Sequence, residues 1–487
     1  MIVVIAFGTS PGIWKRHDFR TSIPLKICSQ LLTCHHPVCR SLSSPVFKGN
    51  PLQGIPSNLM RGGDKAIFAC WRAMCDSVKS RRFDVASTGM VDLPTQIQGM
   101  TWLEELNLSS NQLSNLSPFV CELASVRVIN ISNNRLGSIP PEIAKMKDLR
   151  SLDVRGNNIR QLPLELGFCT ELRELKIDQE MIVMPSKEVM GLDVQAIMMY
   201  LRRLHDAITT LSLSLTGMGL ANVPKEAWAM TEMQQLTLDK NMVSEIEGGL
   251  VFFEKLETFS CNLNQVADLN FLLGDPRSPP WDRQRLMHLT SFRMRGNDIS
   301  KVPPEISRLK SLKLLQLDNN KLESLPDECG MIPSLQQLTV SRNALTMLPE
   351  TLSALKNLNT LDVSYNKIFV LPFGLGLLDD LTKFIFSENP IRSPPLEVMR
   401  GGADHTLQYL AKCIEASNSQ MFDCSSMSLY EIPREVGHPS LAQESQARQL
   451  FSFAAYHLFY LNISCARAPY PGLNVHPYIC RCAALRV

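Results

Sequence analysis

The sequence predicts an α/β solenoid, in which short parallel strands stack at a constant step and curve into a horseshoe with the sheet on its concave side. Three observations lead there. First, Leu312, Leu315, Leu317, Asn320 and Leu322 fit the pattern LxxLxLxxNxL, which sets alternate leucines on one face of a short strand. Second, the frame returns 23 residues away on both sides, at Leu289, Phe292, Met294, Asn297, Ile299 and at Leu335, Leu338, Val340, Asn343, Leu345. Two more steps reach Leu358, Leu361, Val363, Asn366, Ile368 and then Leu381, Phe384, Phe386, Asn389, Ile391. Third, a proline follows these asparagines at one fixed distance (Pro303, Pro326, Pro349, Pro372, Pro395).

Each slot has a physical task. The strand leucines form a core, each contributing about 1.5–3 kcal/mol when buried. The asparagine amide ends the strand by bonding backbone groups that the turn leaves open. One such unit cannot bury its own leucines, so it needs a copy on each side.

The array falls into blocks. Three stretches align without a gap, from Asn50 to Trp71, from Glu180 to Leu201 and from Asn389 to Leu410. Each leaves a repeat, passes a proline turn and becomes an amphipathic helix, with Val194, Ile197, Met198 and Leu201 at helical spacing. Such a helix can cover the last leucine layer, so these stretches read as terminators. Restarts follow at Phe83–Pro94, Leu213–Pro224 and Phe422–Pro433, with Thr88, Met218 and Met427 in the asparagine slot. Between them the slot holds Asn111, Asn134, Asn157 and Glu180 in the first block, and Asn241 and Asn264 open the second.

The expected organisation is therefore a non-repeat leader (1–41), a remnant repeat with its terminator helix (42–79) and a first block with its terminator (80–207). A second block with its terminator (208–417), the start of a third (418–436) and a non-repeat tail (437–487) complete the chain. An insertion, GDPRSPPWDR, precedes Leu289 and reads as a solvent loop, with a binding loop as the alternative its Arg and Trp offer. Because repeat frames fade at both ends, the sequence is expected to be a fragment or a gene model that runs into non-coding sequence.

Composition narrows the function. The formal net charge of +2 offers no electrostatic reason to expect nucleic acid or an acidic membrane. No apolar run reaches the roughly 18 residues of a spanning helix, and the apolar start lacks a basic flank. The 14 cysteines are scattered, with Cys261 in a core strand slot, which suits a reducing compartment and hence the cytoplasm. Cys34 to Cys39 has metal-ligand residue types but no second pair at finger spacing. The sequons at Asn107, Asn115, Asn130 and Asn462 read as accidents of an Asn- and Ser-rich repeat. No phosphate loop, kinase loop set, H-E-x-x-H or G-x-S-x-G occurs, so neither enzyme chemistry nor a cofactor is expected.

A surface is expected instead. Strand positions flanking the second core leucine stack into two polar columns, one residue per repeat. Arg155 falls in one cluster with Asp153, Lys176 and Asp178. Arg293 and Arg295 precede Asp318, with Arg342 and Tyr365 further along. Arg and Tyr concentrate binding energy at interfaces. Accordingly Arg293, Arg295, Asp318, Arg342, Tyr365, Arg155, Lys176 and Asp178 are the expected partner-binding residues. The bland reading is that they solvate the sheet or pair with one another, at about 0–1 kcal/mol per exposed pair.

The unit LxxLxLxxNxLxxLP resembles that of intracellular leucine-rich repeat proteins, namely the Ras-signalling scaffold, the Scribble and Erbin type and the plant Ras-group-related set. The terminator ending at Leu407–Leu410 is similar to that of leucine-rich repeat-containing protein 40. The resemblance covers roughly residues 42–436. It implies a leucine-rich repeat solenoid and a monomeric, non-enzymatic scaffold or adaptor that binds proteins on its concave face. A small GTPase or a phosphatase is the implied partner. The chain departs from the family in having no PDZ, kinase or GTPase domain and no evident phosphatase-docking motif. Two other readings compete: a sensor segment of a larger kinase, cyclase or phosphatase, and an extracellular ligand-binding receptor fragment. The missing cysteine-bounded caps weigh against the last.

Overall fold

The structure, a computed structural model, describes residues 64–419 apart from 247–249, 251–252 and 274–285. The leader, the repeat remnant before residue 64, the Cys34–Cys39 cluster, the whole insertion, most of the third block, and the tail lie outside those residues. The chain divides into two compact units between Leu256 and Glu257.

In the first unit β1 (Arg82–Asp84), β2 (Glu105–Asn107), β3 (Val128–Asn130), β4 (Ser151–Asp153) and β5 (Glu174–Lys176) form a parallel five-stranded sheet in chain order. Their register follows the repeat, with Leu106 opposite Ile129 and Ile129 opposite Leu152. After a helix, β6 (Ser212–Ser214) and β7 (Gln235–Thr237) pair in the same way.

The second unit holds β8 (Thr258–Ser260), β9 (Ser291–Arg293), β10 (Leu314–Gln316), β11 (Gln337–Thr339), β12 (Thr360–Asp362) and β13 (Lys383–Ile385), all parallel and in order. Leu315, Leu338 and Leu361 sit opposite one another. Leu312, Leu335 and Leu358 are wholly buried beside them. The three-residue strands gain length from backbone bonds beyond their ends, such as Leu317 N–H to Thr339 O at 2.8 Å and Asn319 N–H to Ser341 O at 2.7 Å.

Behind the strands, the slot prolines start 3-10 turns. Pro303 precedes Pro304–Arg308, Pro326 precedes Asp327–Met331 and Pro349 precedes Glu350–Ala354. A ring-fixed φ suits a residue entering such a turn. Core positions tolerate any apolar residue of fitting size: Phe259 stacks on Phe292 with centroids 5.7 Å apart, and Cys261 is buried in its strand slot as expected.

The helices are α1 (Asp64–Ser80), α2 (Lys187–Met190), α3 (Val194–Thr210), α4 (Lys225–Trp228), α5 (Leu396–Arg400) and α6 (Gly402–Ser419). Asp193 caps α3 by accepting Ala196 N–H at 2.9 Å. The helix buries Ile197, Met198, Tyr200, Leu201, Leu204 and Ala207. It lies so close to the turn Leu164–Phe168 that a Cβ on Gly167 would sit 2.5 Å from Arg202 N and 2.6 Å from Met198 O. In the second unit α6 makes the same approach over Gly376, whose Cβ would lie 2.7 Å from Ala411 Cα.

Candidate functional site

The asparagine slots are scaffold. Asn320 donates through Nδ2 to Leu317 O (3.0 Å) and, one repeat back, to Met294 O (2.9 Å), while its Oδ1 accepts Ile299 N–H at 3.1 Å. Asn343 and Asn366 repeat this set. Each amide thereby ties three segments together inside the wall. In the restarts Thr88 keeps only the local rung, its hydroxyl donating to Val85 O at 2.9 Å, and Met218 makes none; the backbone N–H groups of both are taken by Asn111 and Asn241 of the following repeat.

One residue before each asparagine, the backbone turns left-handed. In the second unit this column reads Leu263, Gly296, Asn319, Arg342, Tyr365 and Glu388, with φ between +54° and +69°. A side chain in this region costs about 1–2 kcal/mol. The neighbouring repeat holds it there, since Arg342 N–H reaches Ser364 O at 2.9 Å and Tyr365 N–H reaches Ser387 O at 3.0 Å. Because Glu388 and Asn319 share the conformation, it belongs to the repeat and marks no site by itself. The slot is hard to see in sequence because unrelated residue types fill it.

In the second unit the structure puts Arg293 half-buried and Arg295 exposed on the solvent side of β9 and its continuation. Neither guanidinium has an ion pair or side-chain hydrogen bond among the described residues; Arg295 bonds through its backbone, its N–H reaching Asn262 Oδ1 at 2.8 Å and its carbonyl accepting Leu263 N–H at 2.7 Å. Arg342 lies over the Tyr365 ring, 4.5 Å from its centroid, a contact that contributes about 0.5–1 kcal/mol at an exposed site. Both side chains rise from the turn column, one position beyond the strand columns.

Asp318 is a correction to the expected set. It is 7% exposed, and its carboxylate accepts Thr339 Oγ1 (2.6 Å), Ser341 N–H (2.9 Å) and Ser341 Oγ (2.8 Å). A polar residue in a strand column reads as solvent-facing, but here the hydroxyls of the next repeat close over it. Asp362 is similarly taken up, by Ser364 N–H at 3.0 Å and Ser364 Oγ at 2.7 Å.

The expected cluster in the first unit resolves into local pairs. Arg155 holds Asp153 through Nη2 at 2.7 Å and Nε at 3.1 Å. Burial pushes the Asp153 carboxyl up, yet the hydrogen bonds and charge of Arg155 outweigh it and keep the group below the usual carboxylate range. Lys176 pairs with Glu174 at 2.9 Å, and Asp178 accepts Gly156 N–H at 2.6 Å. Arg155, Lys176 and Asp178 are thus each engaged within the repeats. Such local geometry is not readable from slot positions alone.

Among the described residues no group of three His, Cys, Asp or Glu side chains is placed to hold a metal, and no helix is long and apolar enough to cross a membrane.

Family models for leucine-rich repeats match residues 287–345, 124–166 and 99–116. No curated protein matches the chain. Among solved structures it is similar to a leucine-rich repeat protein of Leptospira interrogans, at 23% identity and a TM-score of 0.37 over 66% of this chain and 93% of that one. It is also similar to an internalin of Listeria monocytogenes, at 19% identity and a TM-score of 0.35 over 70% of this chain and 88% of the other. A third is the ectodomain of the membrane receptor kinase GASSHO1/SCHENGEN3 of Arabidopsis thaliana, at 23% identity and a TM-score of 0.33, with 66% of this chain aligned to 37% of that chain.

Proposed function

We propose that this leucine-rich repeat protein is a non-enzymatic scaffold or adaptor whose second unit binds a partner protein on its strand face. Leucine-rich repeats generally serve as protein-binding modules. The observation that carries the reading is the state of Arg293 and Arg295: two guanidiniums on the solvent side of one strand, with no partner among the described residues, near the Arg342–Tyr365 stack. Elsewhere on the described strand faces Arg155, Arg82 and Lys176 are ion-paired, and Lys383 stands as a single cation, unpaired among the described residues, rather than one of two. Unspent donors on a rigid sheet suit recognition, since the backbone that carries them is already ordered and only the side chains must be fixed on binding.

The reading places the protein in the cytoplasm, in signalling through a small GTPase or a protein phosphatase. This rests on the resemblance of its 23-residue unit to intracellular leucine-rich repeat proteins and on buried thiols such as Cys121, Cys169 and Cys329. The test is capture by the full chain from a panel of purified small GTPases and phosphatase catalytic subunits, against a variant with the strand face blocked by Gln316→Trp. Binding that the blocked variant loses supports the reading. Binding to both alike, or to neither, removes it.

A further inference from the structure

The chemistry of the partner can be narrowed, on the premise that the strand face of the second unit is the binding surface. Arg293 and Arg295 are two residues apart on an extended segment, which sets their Cα atoms about 6.6 Å apart on one face. Arg342 lies two repeats along, about 10 Å away at the usual strand spacing. Between them the face carries short polar side chains: Gln316 and Thr339 in one column, Asp318 and Ser341 in the other.

Both carboxylates of this stretch are committed. Asp318 is buried against Thr339 and Ser341, and Asp362 accepts from Ser364. Neither lies within ion-pair distance of Arg293 or Arg295. Gly296, in the turn beside Arg295, projects no side chain, so nothing of its own screens that guanidinium. The exposed Leu263 leans over the glycine, its Cδ2 2.7 Å from where a Cβ would be. At the far end Glu388 supplies a negative charge beyond Tyr365.

We propose that Arg293, Arg295 and Arg342 form a docking strip for an extended acidic segment of a partner protein, with carboxylates on the Arg293–Arg295 pair and a further one at Arg342. Guanidinium–carboxylate bonds are short, directional and about twice as strong as neutral ones. An extended segment advances about 3.3 Å per residue, so four or five residues span the strip. Glu388 repels a carboxylate placed past Tyr365 and so sets where the acidic run ends. A phosphate polymer fits less well, because the adjoining columns carry Ser, Thr and Asp rather than a track of lysines.

The test uses the full chain and three fluorescent probes: a peptide of about eight residues with Glu at alternate positions, its Gln twin, and a short oligo-dT. The Glu peptide is expected to bind at least about tenfold tighter than the Gln twin and to weaken as salt rises. The Arg293→Gln/Arg295→Gln variant is expected to lose that advantage by about tenfold or more. Arg392→Gln, which removes a guanidinium stacked on Phe369 at 5.4 Å, is expected to leave it intact. Equal binding of the Glu and Gln peptides, no binding of either, unchanged binding by the double variant, or tighter binding of oligo-dT would each overturn the acidic-segment assignment. The broader reading is scored separately: a partner protein lost on Gln316→Trp but kept by Arg293→Gln/Arg295→Gln leaves the face and discards the acid chemistry.

Discussion

The Tyr200 hydroxyl donates to Glu226 Oε2 across 3.2 Å, joining helix α3 to α4, the first turn of the repeats that follow it. Tyr200 is wholly buried, and Arg203 of the same helix donates to Thr216 O at 3.0 Å. Thus α3 does more than cover the last leucine layer of β1–β5. It rests on Gly167 behind it and hydrogen-bonds to the restart ahead, splinting two stretches whose strands belong to separate sheets.

Removing the hydroxyl alone tests the splint. Tyr200→Phe keeps the ring and leaves Glu226, which is half-exposed, able to take water instead. We expect a loss of about 1 kcal/mol in urea denaturation. Tyr200→Ala leaves a cavity and is expected to cost about 3–5 kcal/mol. If the two variants cost the same, the hydroxyl is the whole effect and the packing argument fails.

Asn320 is the clearest test of the wall. Asn320→Ala leaves the buried Ile299 N–H without its acceptor and removes one of two amide donors from Leu317 O and Met294 O, which keep Asn343 and Asn297. An unsatisfied buried group costs about 1–3 kcal/mol, so a loss of at least 2–3 kcal/mol is expected. Asn320→Asp keeps the acceptor but cannot donate, and should recover little. Equilibrium denaturation of the two variants checks both expectations. A drop below about 1 kcal/mol in the Ala variant would mean that water replaces the amide.

Much of this architecture is legible in sequence, for a physical reason. Leu312 and Asn320 each serve one fixed task in every repeat, so the same residue type recurs at the same step. Gly167 and Gly376 were not legible as helix seats, because the slot five before the leading leucine also holds Ala144, Ser307 and Ser353, where no helix arrives. The site is the least legible part. Arg155 and Arg295 occupy the same slot, but the residue two before is Asp153 in one repeat, which captures Arg155, and Arg293 in the other, which cannot. Whether a column residue is spent or open depends on its immediate neighbours, which the repeat frame does not fix.

The seat of the helix can be tested at one atom. Gly167→Ala places a methyl group 2.5 Å from Arg202 N and 2.6 Å from Met198 O, both backbone atoms that cannot step aside singly. The whole helix must shift, and a loss of about 3 kcal/mol or more is expected. Gly137→Ala is the control, since a Cβ there meets nothing within 4 Å. It should change stability by no more than about 0.5 kcal/mol. Thermal and urea melts of the pair give the comparison, and equal effects would disprove the close approach.

Alkaline pH should loosen the fold, and the buried thiols give the sign. Burial pushes Cys329 up to about 12 and Cys169 up to about 11. In the unfolded chain a thiol ionises near 8.5. Between those values the unfolded state has released protons that the native state still holds, so unfolding becomes easier as pH rises. The stability contributed by each retained proton is therefore complete below about pH 8.5 and fades above it, by up to about 1.4 kcal/mol per pH unit for each thiol. Tyr200, raised by burial and by the Glu226 charge, adds to the slope only above about pH 10. Other repeats fill the Cys329 slot with Ile306 or Leu352 and the Cys169 slot with Leu309 or Leu355. Cys169→Val plus Cys329→Val should therefore fold, and should flatten the decline in unfolding free energy between about pH 8.5 and 10 relative to the parent chain. An unchanged slope in the double variant would show that these thiols ionise alike in both states.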